Sequence, residues 1–151
     1  MVQNIDYAPT FLAMAGLEPD WQVHGVSLMP LLTGGGATPA DWRDTLYYRY
    51  IDGGHGVAQH SAIRTNEYKL LYFDHPRNDA EEQSRWELYD VKKDPQDMTN
   101  LAFFPQYQSQ LAAMKDLFWK TRTFYDDTDE SVWQRGATKR YRPEDYIRQR
   151  R

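Results

Sequence analysis

The sequence has 151 residues, 40% of them hydrophobic and 15% aromatic, enough for one domain with a real core in which Tyr, Trp and Phe carry much of the burial. It has no cysteine, which excludes disulfides, thiolate metal sites and a cysteine nucleophile, and no apolar run approaches membrane-spanning length. The net charge of −4 is uneven: Arg135, Lys139, Arg140, Arg142, Arg148, Arg150 and Arg151 stand against only Glu144 and Asp145 in the last stretch, so an acidic body carries a basic tail. A solvated terminus is the favoured reading of that tail. It also supplies the charge that a nucleic acid or another polyanion would need.

The first residues, MVQNIDYAPT, lack the basic start and cleavage pattern of a signal peptide. The pattern predicts a helix over residues 4–15, with Asp6 as N-cap, Pro9 in the first turn, and Gly16 as the stop. Its apolar face would be Ile5, Phe11, Leu12 and Ala15. Such a face on an opening helix suggests packing against something larger. A Pro- and Asp-containing loop follows, then a short apolar segment over residues 26–32. The triplet Gly34-Gly35-Gly36 closes it and reads as a surface loop: no Lys-Ser or Lys-Thr follows to make a phosphate cradle.

Residues 45–73 carry the densest β signal. Thr45 to Ile51 is a Tyr-rich strand. Asp52-Gly53-Gly54-His55-Gly56 is a loop, Val57 to Arg64 a second strand, Thr65-Asn66-Glu67 a turn, and Tyr68 to Phe73 a third strand. Residues 74–84 are polar and read as a long hairpin loop. Trp86 to Val91 alternates as a fourth strand, and Lys93-Asp94-Pro95-Gln96-Asp97 makes a turn. Asn100 is a candidate cap. Pro105 opens a helix to about Tyr125, with Leu111, Met114, Leu117 and Phe118 as its inner stripe. Asp126 to Glu130 is an acidic stop, and Trp133, Tyr141 and Tyr146 are possible anchors in the tail.

The ordered set of these pieces resembles the C-terminal part of the type I sulfatases, the formylglycine-dependent sulfate-ester hydrolases of the alkaline-phosphatase-like superfamily. The segments that carry the resemblance are VQNIDYAPTFLAMAG (2–16), HGVSLMPLLTG (24–34), the Trp42-Arg43-Asp44 start, the Tyr-rich strand, IRTNEYKLLYF (63–73) and WELYDVKKDPQDMTNL (86–101). The Tyr-rich strands with His55 and His60 look most like the glycosaminoglycan and N-acetylglucosamine sulfatase branches. The resemblance implies an α/β fold, α+β as an isolated piece. Residues 1–40 would be the end of the catalytic domain, with one helix left from it. Residues 41–130 would be the C-terminal subdomain, an antiparallel sheet of about four strands packed on a C-terminal helix. Residues 131–151 would be the basic tail.

It also implies calcium and formylglycine in the intact enzyme and a sulfated carbohydrate as substrate. The family's Cys- or Ser-x-Pro-x-Arg motif and its calcium and sulfate ligands have no counterpart in this sequence. The expectation is therefore no catalytic residue and no metal ligand here, but one wall of a substrate cleft, in a chain inactive by itself. A stand-alone module binding sulfated or acidic glycans is the alternative. A nucleic-acid module driven by the tail is the least favoured.

His60 is the first substrate-binding candidate, expected mid-strand between Gln59 and Ser61. Its imidazole suits a sugar hydroxyl when neutral and a sulfate or carboxylate when protonated. His55, on the Gly loop, is the second. A histidine tied to a backbone carbonyl is the ordinary alternative for either. Arg64 and Lys69 offer positive charge, but their spacing predicts opposite faces, with ion pairs such as one to Glu67 as their role. Asp74, His75, Arg77 and Asp79 have no fixed metal-ligand spacing. Tyr47, Tyr48, Tyr50, Trp86 and Tyr89 are divided between core packing and sugar stacking.

Overall fold

The computed structural model describes residues 1–51, 58–73 and 85–127. The chain divides into two compact units, one over Met1–Asp44 and one beginning at Thr45.

In the first unit, a 3-10 turn over Asn4–Asp6 runs into α1 (Tyr7–Met14). The helix stops at Gly16, whose φ of +70° is the left-handed conformation common just past a helix end. The predicted apolar face is not the buried one. Phe11 is 64% exposed and Ile5 is exposed too, whereas Asp6, Pro9 and Thr10 are buried. Polar bonds from the loop that follows decide which side closes. Thr10 Oγ1 donates to the Asp6 carbonyl at 2.6 Å and accepts from Leu28 N–H at 2.8 Å.

Asp6 is the N-cap residue of α1, but its side chain makes no capping bond to that helix. It accepts instead from Gln3 N–H at 2.7 Å, Val26 N–H at 2.9 Å and Arg43 Nη2 at 2.5 Å. Burial alone would raise the pKa of this carboxyl. The bonds from Val26, Gln3 and Arg43 outweigh it and hold the group below its usual range. The approach is so close that a Cβ on Gly25 would come within 2.0 Å of the Ile5 carbonyl oxygen, so only glycine fits. The short apolar segment becomes α2 (Met29–Thr33), with Pro30 in its first turn.

The second unit holds a four-stranded antiparallel sheet in the order β1-β2-β3-β4. The strands are β1 (Leu46–Tyr50), β2 (His60–Arg64), β3 (Tyr68–Phe73) and β4 (Trp86–Asp90). Two short 3-10 turns, Leu101–Phe103 and Pro105–Tyr107, lead into α3 (Gln108–Phe124). Asn100 caps the first of them, as its position predicts. Its Oδ1 accepts from Ala102 N–H at 3.0 Å and also from Leu88 N–H at 3.0 Å, which ties the turn to β4.

Alternation along each strand sorts the side chains into two faces. The inner face carries Ile63, Leu70, Trp86 and Leu88, packed against Ala102 and against Leu111, Met114 and Phe118 of α3. Phe118 is fully buried among the rings of Tyr47, Tyr72, Trp86 and Trp119, at centroid distances of 5.1–6.0 Å. The predicted stripe on α3 is thus the real one, with Leu117 at its partly buried margin. It continues one turn further to Arg122, which is buried.

Candidate functional site

Because α3 fills the inner face, side chains available to a ligand lie on the outer face of the sheet or at its ends. His60 meets both conditions. It is the first residue of β2, not a mid-strand one, and its Cα partners are Tyr50 on β1 and Phe73 on β3. The three side chains form a row across three strands. The imidazole stacks on Tyr50 at 5.5 Å and 26° and lies 5.6 Å from Phe73. Tyr48, two residues back along β1 and 54% exposed, adds a third ring at 6.0 Å. The half-buried imidazole therefore sits in an aromatic wall.

His60 Nδ1 lies 2.8 Å from the Ala58 carbonyl oxygen. A carbonyl can only accept, so Nδ1 carries the proton, and in the neutral ring Nε2 is left as an acceptor. The arrangement suits a hydroxyl donor at Nε2 and, when the ring is protonated, an anionic acceptor. The backbone bond expected of an ordinary histidine is present, and it fixes the ring's tautomer as well as its place.

His55 and its Gly-rich loop lie outside the described residues, as do the Asp74–Asp79 cluster and the tail residues Trp133, Tyr141 and Tyr146. The other predicted candidates are sorted by face. Tyr47 and Trp86 point into the core, whereas Tyr48 and Tyr50 point outward. Tyr89 shares the outer face but is buried, with its OH donating to Glu87 at 2.9 Å. Burial and the Glu87 carboxylate raise the pKa of this phenol.

The expectation that Arg64 and Lys69 point to opposite faces is wrong. They are direct Cα partners across the β2–β3 hairpin, and antiparallel partners share a face. Parity counted through a turn does not hold, because the turn reverses the chain. Lys69 pairs with Asp97, a residue at φ +56°, and lies 5.5 Å from the Tyr89 ring centroid, while Glu67 pairs with Lys92.

Two features beside the inner face of β1 were absent from the sequence reading. One is the set of bonds Asp127 makes to Tyr47 and Arg49. It lies in an acidic run that reads only as a helix stop. The other is the inward turn of Arg122, which continues the α3 stripe at an i, i+4 spacing from Phe118 and is recoverable by extending that count.

Among the described residues no group of three or more His, Asp or Glu side chains could hold a metal ion. The sequence has no cysteine, and none of its serines begins a Ser-x-Pro-x-Arg motif. Calcium and formylglycine, the groups the resemblance implies, thus have no fitting residues in the described part of this chain.

Comparison with known proteins gives this geometry its context. Residues 1–124 match the family model described as N-sulphoglucosamine sulphohydrolase, C-terminal. An N-acetylglucosamine-6-O-sulfatase of Bacteroides thetaiotaomicron is 41% identical over 128 residues, which is 83% of this chain and 22% of that protein. An arylsulfatase of Clostridium perfringens is 31% identical over 117 residues, covering 76% of this chain and 21% of its own length.

Among solved structures, one determined in complex with its substrate D-glucosamine-2-N,6-O-disulfate superposes with a TM-score of 0.71 at 40% identity, over 82% of this chain and 24% of that one. A 2-O glycosaminoglycan sulfatase gives 0.67 at 28% identity, over 83% and 26%. This chain spans about a quarter or less of the length of these relatives. The four-stranded sheet with its C-terminal helix is the sulfatase C-terminal subdomain. With the family model reaching from Met1 to the last residue of α3, the chain belongs to the sulfatases, in the family of the N-sulphoglucosamine sulphohydrolase C-terminal domain.

Proposed function

We propose that this chain is the C-terminal portion of a sulfuric ester hydrolase acting on a sulfated carbohydrate, and that it contributes part of the wall of the substrate cleft. His60 is the contact residue in this reading, with His55 as the second. The nucleophile and the metal ligands then belong outside these residues, and the chain alone does no hydrolysis. The observation that carries the proposal is the placement of His60. It is a polar group with its tautomer set by a backbone carbonyl, flanked by three aromatic rings on the face that α3 leaves uncovered.

Saccharides are bound through such a combination, with apolar ring faces on aromatic side chains and hydroxyls on a few placed polar groups. The relatives named for N-acetylglucosamine-6-O-sulfate and glucosamine-2-N,6-O-disulfate support an amino-sugar sulfate as ligand class. Residues 1–40 as the end of a catalytic domain, 41–130 as the subdomain and 131–151 as a basic tail complete the proposal.

The test has two arms. The full chain is titrated with a heparin oligosaccharide, alongside His60→Ala and a truncation before residue 134. Binding that survives truncation and weakens about tenfold in His60→Ala, the loss of roughly one hydrogen bond to a charged group, is the expected result. Binding that vanishes with the tail and ignores His60 refutes the cleft-wall reading in favour of polyanion capture by the tail. In the second arm, turnover of an aryl sulfate by the chain alone, with calcium present, would overturn the claim that the reacting groups lie elsewhere.

A further inference from the structure

The inward-facing side chains of β1 end on a single carboxylate. Tyr47 OH donates to Asp127 Oδ2, and Arg49 Nη1 lies 3.1 Å from both Asp127 oxygens. Asp127 is itself fixed. The chain turns back at Asp126, whose φ of +51° is left-handed. Asp127 N–H then donates to the Arg122 carbonyl at 3.1 Å, and its own carbonyl accepts from Arg122 Nε at 2.7 Å. Arg122 is buried on α3, with its guanidinium 5.4 Å from the Trp119 ring centroid. The Tyr47 ring rests on Tyr125 at 5.8 Å and on Phe118 at 6.0 Å.

The position of β1 gives these bonds a consequence. Among the described residues β1 is an edge strand with one ladder, to β2. An edge strand is held from one side only, so its fit against the helix layer depends on its inward side chains. Of its outward side chains, Tyr48 and Tyr50 are two of the three rings beside His60. Strand geometry is stiff over a few residues, so a shift of Tyr47 and Arg49 moves Tyr48 and Tyr50 with them.

We propose that Asp127 is a positioning residue for the His60 site: by gripping both inward side chains of β1 it fixes the aromatic wall against the imidazole. The ligand consequence rests on the cleft-wall reading of His60, whereas the mechanical coupling does not. Burial and the Asp127 bond raise the Tyr47 pKa to about 12, which supplies a local reporter of the grip.

The experiment compares Asp127→Asn, Asp127→Glu and Tyr47→Phe in the full chain. The readouts are NMR titration of the Tyr47 phenol, the His60 ring resonances and affinity for a heparin oligosaccharide. In Asp127→Asn the Tyr47 pKa should fall toward the ordinary phenol value of about 10. The His60 ring signals should shift, and affinity should drop about tenfold. Asp127→Glu should restore much of both. Tyr47→Phe, which keeps the buried ring, removes one grip and should move the His60 signals part of the way even if Asp127→Asn folds poorly. Unmoved His60 signals in folded variants would overturn the proposal. Shifted signals with unchanged affinity would uphold the positioning role and sink the cleft-wall reading of His60.

Discussion

Asp6 offers the sharpest test of how the first unit is held together. Its carboxylate is fully buried and takes three donors, from Gln3, Val26 and Arg43. Asp6→Asn keeps the shape but replaces one acceptor oxygen with an NH2 donor. At least one donor then faces another donor, and Arg43 loses its counter-charge. A hydrogen bond to a charged group contributes about 1.5–3 kcal/mol, and breaking one side of a buried ion pair costs about 3–5 kcal/mol. Arg43 keeps some contact with solvent, so the lower end applies, about 3 kcal/mol. At 1.4 kcal/mol per decade, that is roughly a hundredfold loss of amide hydrogen-exchange protection at Val26 and Leu28. The pH dependence has a definite sign. The folded pKa lies below the unfolded value near 3.9, so the stabilisation is complete above about pH 5 and is lost as pH falls through the folded pKa. Asp6→Asn should remove that acid-dependent component. Unchanged protection at Val26, or the same acid sensitivity in wild type and variant, would refute the account of this unit.

Three further outcomes follow from the packing. Phe118→Ala should destabilise the second unit by about 3–5 kcal/mol in urea unfolding, because it empties a fully buried site among four aromatic rings. Asn100→Ala should cost about 1–3 kcal/mol in the same measurement, since Leu88 and Ala102 N–H both lose their acceptor. Gly25→Ala should abolish the exchange protection of Val26 while leaving the amides of β2 and β3 unaffected, because the added methyl would overlap the Ile5 carbonyl.

How much of this was readable beforehand depends on whether a residue's role is periodic. β3 runs from Tyr68 to Phe73 as its strand-forming composition and flanking turn predict, and the α3 stripe falls on Leu111, Met114 and Phe118. Strand ends were harder. β2 begins at His60, with Ala58 and Gln59 outside it, since β propensity does not say where a ladder stops. The face of α1 misled for a different reason: hydrophobic spacing marks Phe11, but the buried side is chosen by Asp6 and Thr10, whose partners lie 18 to 37 residues away. At the candidate site, His60 was proposed from its strand context and from the resemblance. Its aromatic wall was not, because which rings flank His60 depends on the register of three strands. Asp127 was invisible for the same reason, since its partners on β1 are 78 and 80 residues away.

The outer face also limits how a charged ligand can be read. Among the described residues, the nitrogen-bearing side chains of β2 on this face lie at its opposite ends: His60 begins the strand and Arg64 ends it, beside Lys69. Four residues of strand separate the two by about 13 Å. One sulfate cannot bridge that distance, so the two ends must engage different groups of a ligand or only one end is used. Lys69 is already paired with Asp97, which leaves less net charge at the Arg64 end. Among the described residues, the side chains packed on His60 are the rings of Tyr48, Tyr50 and Phe73. On the cleft-wall reading proposed above, recognition of a sulfated sugar by this face would rest on ring stacking next to one well-oriented nitrogen more than on accumulated charge. Substitutions at His60 and Arg64, being more than 10 Å apart, should add in their effect on affinity, and a strong coupling between them would argue for a ligand bound in some other way.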